Sequence, residues 1–418
     1  MKQTLIFILQ LVLIKFAFAQ ETNEKIDTLR RDALKVFFDC KFCDEDYIRR
    51  EVSFINYVRD RKEAQVHLMI TSQRTASRGT EYTFHFLGQN EFKSQNDTLK
   101  YVSSTDNTRE EIRKGQTDLM KLGLMRYVAK TPLANHIQIR FNQPEKEEIV
   151  EDKWRSWVFR TRLSGSLNEE KSYKYHNLSG SFSASKVTPE WKWNFNTYYS
   201  YSESKFDING DTTYTSERKN KSFSSLGVKS LGEHWSMGGM LGVSSSIYRN
   251  YKLRFYFRPA IEYNIFPYSE STRKQLRILY TAGYACNHYE DTTIYDKVKE
   301  SLYGHDIDIS LQVTQKWGSI YASLEWLNYF HDWSKNNLSL FGSINIRITK
   351  GLEFNIGGGA SLIHDQLSLV KGGSTKEEIL LRRREIETQY SFSTRFSITY
   401  TFGSIYSNIV NPRFGGDR

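Results

Sequence analysis

Residues 390–402 read Tyr-Ser-Phe-Ser-Thr-Arg-Phe-Ser-Ile-Thr-Tyr-Thr-Phe, and this stretch decides the fold. Phe392, Phe396, Ile398, Tyr400 and Phe402 share one side of a period of two. Ser391, Ser393, Arg395, Ser397, Thr399 and Thr401 share the other. Such a strand suits a sheet with apolar surroundings on one face and polar ones on the other. The pattern recurs upstream. Leu352, Phe354, Ile356 and Leu362 alternate with Glu353, Asn355 and Ser361, and Ile307, Ile309 and Leu311 alternate with Asp306, Asp308 and Ser310. About twelve such segments are expected, near 154–167, 173–186, 191–206, 212–230, 234–248, 251–265, 273–288, 305–317, 319–332, 337–349, 351–369 and 382–402. A buried sandwich would alternate in the same way. Long strands, aromatics near their ends and only 6 prolines in 418 residues favour an all-β transmembrane antiparallel barrel of about twelve strands.

Composition agrees. Hydrophobic residues make up 39% and mean hydropathy is −0.58, which excludes a helical transporter. A content of 26 Tyr, 26 Phe and 8 Trp excludes a disordered chain. Met1 and Lys2 precede an apolar run from Leu5 to Phe18 that ends Ala17-Phe18-Ala19, so residues 1–19 read as a cleaved export signal. Connections alternate in length. Trp317-Gly318 and Lys350-Gly351 are tight, whereas Asn287 to Gly304 and Lys371 to Leu380 are long, as in outer-membrane barrels. Residues 20–153 carry 23 basic and 23 acidic side chains, and residues 154–418 carry 33 and 25. The basic excess therefore belongs to the barrel. In an exported chain it suits anionic headgroups or an acidic partner rather than nucleic acid.

Residues 20–143 read as a small periplasmic α/β domain, joined to the barrel (154–402) by a charged linker at 144–153 and followed by a tail at 403–418. Lys35 to Asp39 is a short strand. Asp44 caps a helix whose buried face carries Ile48, Val52 and Ile55. Gln65 to Thr71 and Thr80 to Leu87 form a hairpin, and Leu99 to Ser103 a further strand. The capping box Thr108-x-x-Glu111 opens a helix carrying Ile112, Leu119 and Leu122, and Ile137 to Phe141 is a last strand.

The stretch Phe396 to Phe402 resembles the β-signal of Gram-negative outer-membrane proteins. That resemblance implies recognition of Phe396, Ile398, Tyr400 and Phe402 by the barrel assembly machinery. The chain as a whole resembles outer-membrane barrel proteins with a periplasmic α/β domain. In element order alone, its first domain is similar to N-terminal domains of exported proteins such as TolB and the curli-secretion lipoprotein.

Three constellations are candidates for chemistry. Cys40 and Cys43 form a C-x-x-C between strand and helix. Asp39, Asp44, Glu45 and Asp46 would raise its thiol pKa values, so a structural disulfide is favoured over free thiols, metal ligation or redox catalysis. His67 and His85 face each other if Val66 pairs with Phe86. With the two cysteines they would complete a zinc ligand set, though a solvated polar pair is the simpler reading. Arg160, Arg162, Arg254, Arg258, Arg277, Arg347 and Arg395 share the polar face with Glu262, Glu325 and Glu353. An ion-pair network filling a narrow lumen is favoured over an anion-attracting channel. Gly357-Gly358-Gly359 lies within a strand and reads as a smooth patch rather than a phosphate loop.

The barrel histidines are His176, His234, His288, His305, His331 and His364. Neither a G-x-S-x-G elbow nor an H-E-x-x-H motif accompanies them. The expectation is a non-enzymatic, cofactor-free outer-membrane protein. It would act as an accessory or scaffold subunit whose periplasmic domain docks an envelope partner. A narrow diffusion channel gated by that domain and a barrel-rim hydrolase are the alternatives.

Overall fold

The computed structural model describes residues 33–75, 79–139, 152–208, 212–372, 384–403 and 408. The export signal at 1–19, most of the linker and most of the tail lie outside them.

The first domain is a five-stranded sheet with two helices on one face. Its strands are β1 (Lys35–Asp39), β2 (Asn56–Tyr57), β3 (Val66–Arg74), β4 (Thr80–Gly88) and β5 (Asn96–Ser103), in the order β2-β1-β3-β4-β5. β1 runs parallel to β2 and β3, and the rest is antiparallel. Helix α1 (Glu45–Glu51) starts where the Asp44 carboxylate accepts the Tyr47 N–H. Helix α2 (Arg109–Val128) starts at the Thr108/Glu111 capping box, which satisfies two otherwise orphaned N–H groups. Leu68, Ile70, Phe84 and Phe86 bury against Met120, Leu124 and Tyr127 of α2. Gly123 is what lets helix and sheet approach, since a Cβ there would stand 2.1 Å from the Phe86 ring. Ile48, Val52 and Ile55 are all buried, but only Ile48 lies on the helix, which ends at Glu51 with Val52 as its C-cap, so Ile55 reaches the core from the segment that follows. Leu122 is not buried, because it points to solvent at 65% exposure. The strand expected at 137–141 is absent over 137–139, and its last two residues lie outside the described ones. The two-residue β2 is too short to leave a periodicity.

Twelve strands follow as the expected all-β antiparallel assembly. They are β6 (Trp157–Glu169), β7 (Tyr173–Val187), β8 (Trp191–Ile208), β9 (Thr212–Ser230), β10 (Trp235–Ser246), β11 (Tyr251–Asn264), β12 (Lys274–Tyr289), β13 (Lys299–Gln315), β14 (Gly318–Tyr329), β15 (Asp332–Thr349), β16 (Leu352–Ile363) and β17 (Tyr390–Tyr400). Each pairs with its sequence neighbours, the order of an up-and-down barrel. β6 and β17 are the two edges of this sheet, with no ladder between them among the described residues.

One face is apolar and exposed. Leu163, Leu167, Phe182, Trp193, Phe257, Leu340, Phe392, Phe396 and Ile398 all project from it. The other, inner face is built of Ser, Asn, Thr, Tyr, Gly and charged residues. Both long connections, Tyr289–Lys299 and Ile363–Tyr390, lie at one end of the sheet. The tight turns at 316–317 and 350–351 lie at the other, where Gly351 takes φ +69°.

The strand expected at 351–369 stops at Ile363. Leu367 and Leu369 alternate like strand residues but belong to a loop that turns inward, and Leu367 packs on Ala285, Leu302, Tyr256 and Tyr329 of the inner face. Asn250 fastens this loop by donating to Ser368 O at 3.0 Å and Asp291 O at 2.9 Å. β13 and β15 begin earlier than expected, at Lys299 and Asp332, because their polar first residues hide the alternation.

Candidate functional site: the inner face and the docked domain

Two sets of side chains meet at the short-turn end. The α/β sheet turns its second face, with Phe37, Asp39, His67, Met69 and His85, away from its own helices. His67, Met69 and His85 are nonetheless buried. Arg347 of β15 reaches this face and donates two hydrogen bonds of 2.7 Å to the Asp39 carboxylate. Such bidentate, charge-assisted contacts are the strong and directional ones. The Arg347 guanidinium lies 5.0 Å from the Phe37 ring centroid, and His67 donates Nε2–H to Asp39 at 3.1 Å. Around this centre Lys350 pairs with Glu63 at 2.6 Å, and Arg59 donates to Phe402 O at 3.3 Å. Asn408 of the tail accepts the Tyr57 N–H at 2.7 Å, on strand β2.

Electrostatics follow from these contacts. Burial raises the Asp39 pKa, but the hydrogen bonds from His67 and Arg347 outweigh it and hold the carboxyl well below the usual range. Burial pushes His67 down despite Asp39. Burial, then Arg273 and Lys100, pushes His85 down to about 4.

The two histidines do not face each other. The hairpin pairs Val66 with Gly88 and Leu68 with Phe86, so His67 stands opposite Leu87 and His85 opposite Met69. The register differs by two residues from the expected one because β4 extends to Gly88. His85 lies near Thr71 Oγ1 and Thr98 Oγ1 instead, at 3.4 and 3.5 Å. Cys40 and Cys43 are joined in a disulfide, and no group of three or more His, Cys, Asp or Glu suited to a metal occurs among the described residues.

The strand register places all ten charged residues on the inner face, but it divides them. On β11 and β12, Arg258, Arg277 and Glu262 are paired. Arg277 contacts Asp308 at 2.8 Å and Glu262 at 3.8 Å, Tyr268 donates to Glu262 at 2.9 Å, and Arg258 lies 3.7 Å from Asp306. Glu325 stands opposite Asp308 in register. Arg254 lies over Tyr251 at 5.2 Å and Tyr256 at 6.0 Å. Arg347 also meets Glu353, at 3.5 Å. Arg160 and Arg162 of β6 and Arg395 of β17 stand on the same face in the edge strands. Sequence reasoning left Asp39, Asp306 and Asp308 out of this set. For the last two the signal was present, since they alternate with Ile307 and Ile309. For Asp39 no local signal exists, because its partner is 308 residues away.

No protein-family model matches the chain, and no curated protein matches it. Among solved structures it is similar to the translocator domain of autotransporter NalP from Neisseria meningitidis. The identity is 8%, 69% of this chain and 96% of that one are covered, and the TM-score is 0.26. No function is carried over from so distant a likeness.

Proposed function

We propose that the chain is a non-enzymatic outer-membrane protein whose barrel anchors a periplasmic α/β domain as a docking platform for an envelope partner. The observation that carries this reading is that a part of the chain itself sits at each end of the inner face. The α/β sheet sits over the short-turn end through Asp39 and Arg347, and the loop bearing Leu367 folds onto the other. A freely conducting pore would leave both open. The wide apolar outer face supports the membrane setting, because soluble proteins rarely expose a contiguous patch of that extent. No helix among the described residues is long and apolar enough to cross a membrane. The α1/α2 side of the domain, with Leu122 exposed, faces away from the barrel and is the surface offered to a partner.

Two measurements test this. In planar bilayers the full-length protein should show no steady nanosiemens-scale openings. A photo-crosslinking side chain at Leu122 should give one discrete adduct in outer-membrane fractions. Steady openings without an adduct would replace the platform by a channel gated by the α/β domain.

A further inference from the structure

The inner face is asymmetric in charge. Its β11–β14 part carries acids and bases in contact, as described above. The part built from β16, β17 and β6 carries arginines among hydroxyls, amides and glycines, with the acid Glu353 near its end engaged by Arg347. A cavity of about 500 Å³ lies on this side, open to solvent, between the disulfide loop of the α/β domain and the inner face. Lys41, held between Cys40 and Cys43, lines it from the domain. Arg395 lines it from β17, over a floor formed by Gly357, with the Ser343, Ser393 and Ser397 hydroxyls around it.

Neither cation has a partner among the described residues, and the nearby carboxylates are engaged elsewhere. Asp39 and Glu353 are taken by Arg347, Asp44 by Arg113 at 3.1 Å, and Glu45 by Arg49 at 2.7 Å. In a bilayer the edges β6 and β17 must find hydrogen-bond partners, and their mutual antiparallel pairing closes the barrel. Closure brings Arg160 and Arg162 to the same wall. They stand three and five residues in from Trp157, and Arg395 stands five in from Tyr400. Like charges on adjacent strands repel, and the repulsion grows where little water screens it.

We infer that this wall is a binding site for a phosphate-type oxyanion, held by Arg395 and Lys41 with Arg160 and Arg162 across the closed seam. Planar guanidinium groups match the oxyanion's geometry in pairs, Lys41 adds a point charge, and serine hydroxyls supply neutral donors. The small side chains opposite Arg395 leave room for the ligand.

Titration calorimetry of inorganic phosphate into the full-length protein in detergent tests this, and it reads the site whether or not the barrel conducts. The wild type should bind, more weakly as sodium chloride is raised. Arg395→Ser and Lys41→Ser should each weaken binding roughly tenfold, the effect of losing one charge-assisted contact. The paired Arg160→Ser/Arg162→Ser variant should do the same, whereas Lys100→Ser, on β5 and paired with Glu81, should bind as wild type. Heat-modifiable gel migration verifies that each barrel is folded. Lys41 lies outside the barrel strands, so its variant remains informative if an arginine variant fails to assemble. Wild-type protein that binds no phosphate, or binds it no tighter than the Arg395→Ser and Lys41→Ser variants, would overturn the inference.

Discussion

The contact between Arg347 and Asp39 concentrates the physics of the domain junction in a few atoms. A half-buried carboxylate takes two hydrogen bonds from one guanidinium and a third from His67, so its charge is satisfied from the barrel side and from its own sheet. The histidines nearby make the domain sensitive to acid. His67 and His85 both have lowered pKa values, so they are neutral when folded and take up protons when the domain unfolds. The stability they contribute is complete above their unfolded value of about 6.5 and is lost as pH falls through the folded value. For His85 that window runs from about 6.5 to about 4. Asp39 adds a loss only at lower pH, below the ordinary carboxylate value, because its folded pKa is depressed. The α-helices among the described residues both belong to this domain, so helical circular dichroism reports its melting. Its melting temperature should fall between pH 6.5 and 4 (about the window given by these histidines), and His85→Gln should blunt the fall. A profile flat to pH 4 in the wild type would remove His85 from this role.

Individual strands carry the membrane argument. On β17, Phe396, Ile398 and Tyr400 lie on the apolar outer side, while Ser397 and Thr399 lie inward, opposite Asn355 and Glu353. An arginine at mid-membrane on the outer face costs roughly 2–4 kcal/mol, falling to ~0–1 near the interface. Ile398→Arg should therefore block assembly, and Thr399→Asn should not. Heat-modifiable migration of outer-membrane fractions reads both, and a folded Ile398→Arg beside a failed Thr399→Asn would reverse the faces. Strands of this kind were legible in the sequence because a period of two records which side is apolar and which polar. That record fails where a segment has another reason to alternate. Leu367 and Leu369 look like strand residues but pack on Ala285 and Leu302 as part of a loop. It fails again for partners. The polar alternation put Arg258, Arg277 and Glu262 on one face, yet which acid meets which base depends on the register of β11, β12 and β13 and on Asp306 and Asp308 of β13. The contact between Asp39 and Arg347 depends on how the two sheets meet, and no local pattern encodes that.

For the whole molecule, the mechanics turn on the seam between β6 and β17. β6 and β17 each leave one backbone edge without a ladder partner, and their side chains are exposed on both faces. In water such edges invite aggregation, and in hydrocarbon each unpaired N–H or C=O costs several kcal/mol. β6 begins and β17 ends at the short-turn end, so the two run antiparallel and can pair within one chain. Pairing would place Ser164 on the same inner face as Ser391, Ser393 and Ser397, and would bury the flanks that Leu163 and Phe392 now expose. Pairing between two copies would satisfy the same backbone groups, but it would need the α/β domain, fastened to β15 and to Phe402 at the end of β17, to clear its counterpart. Closure within one chain is therefore expected. A cysteine at Ser164 combined in turn with one at Ser391, Ser393 or Ser397, in a Cys286→Ser background, should oxidise in membranes at one of the three. The product should run at monomer size with altered mobility. Crosslinks at dimer size would make the barrel a composite of two chains. No crosslink in any pair, with assembled protein, would mean that the edges find a different partner, and the arginines of β6 and β17 would then not share a wall.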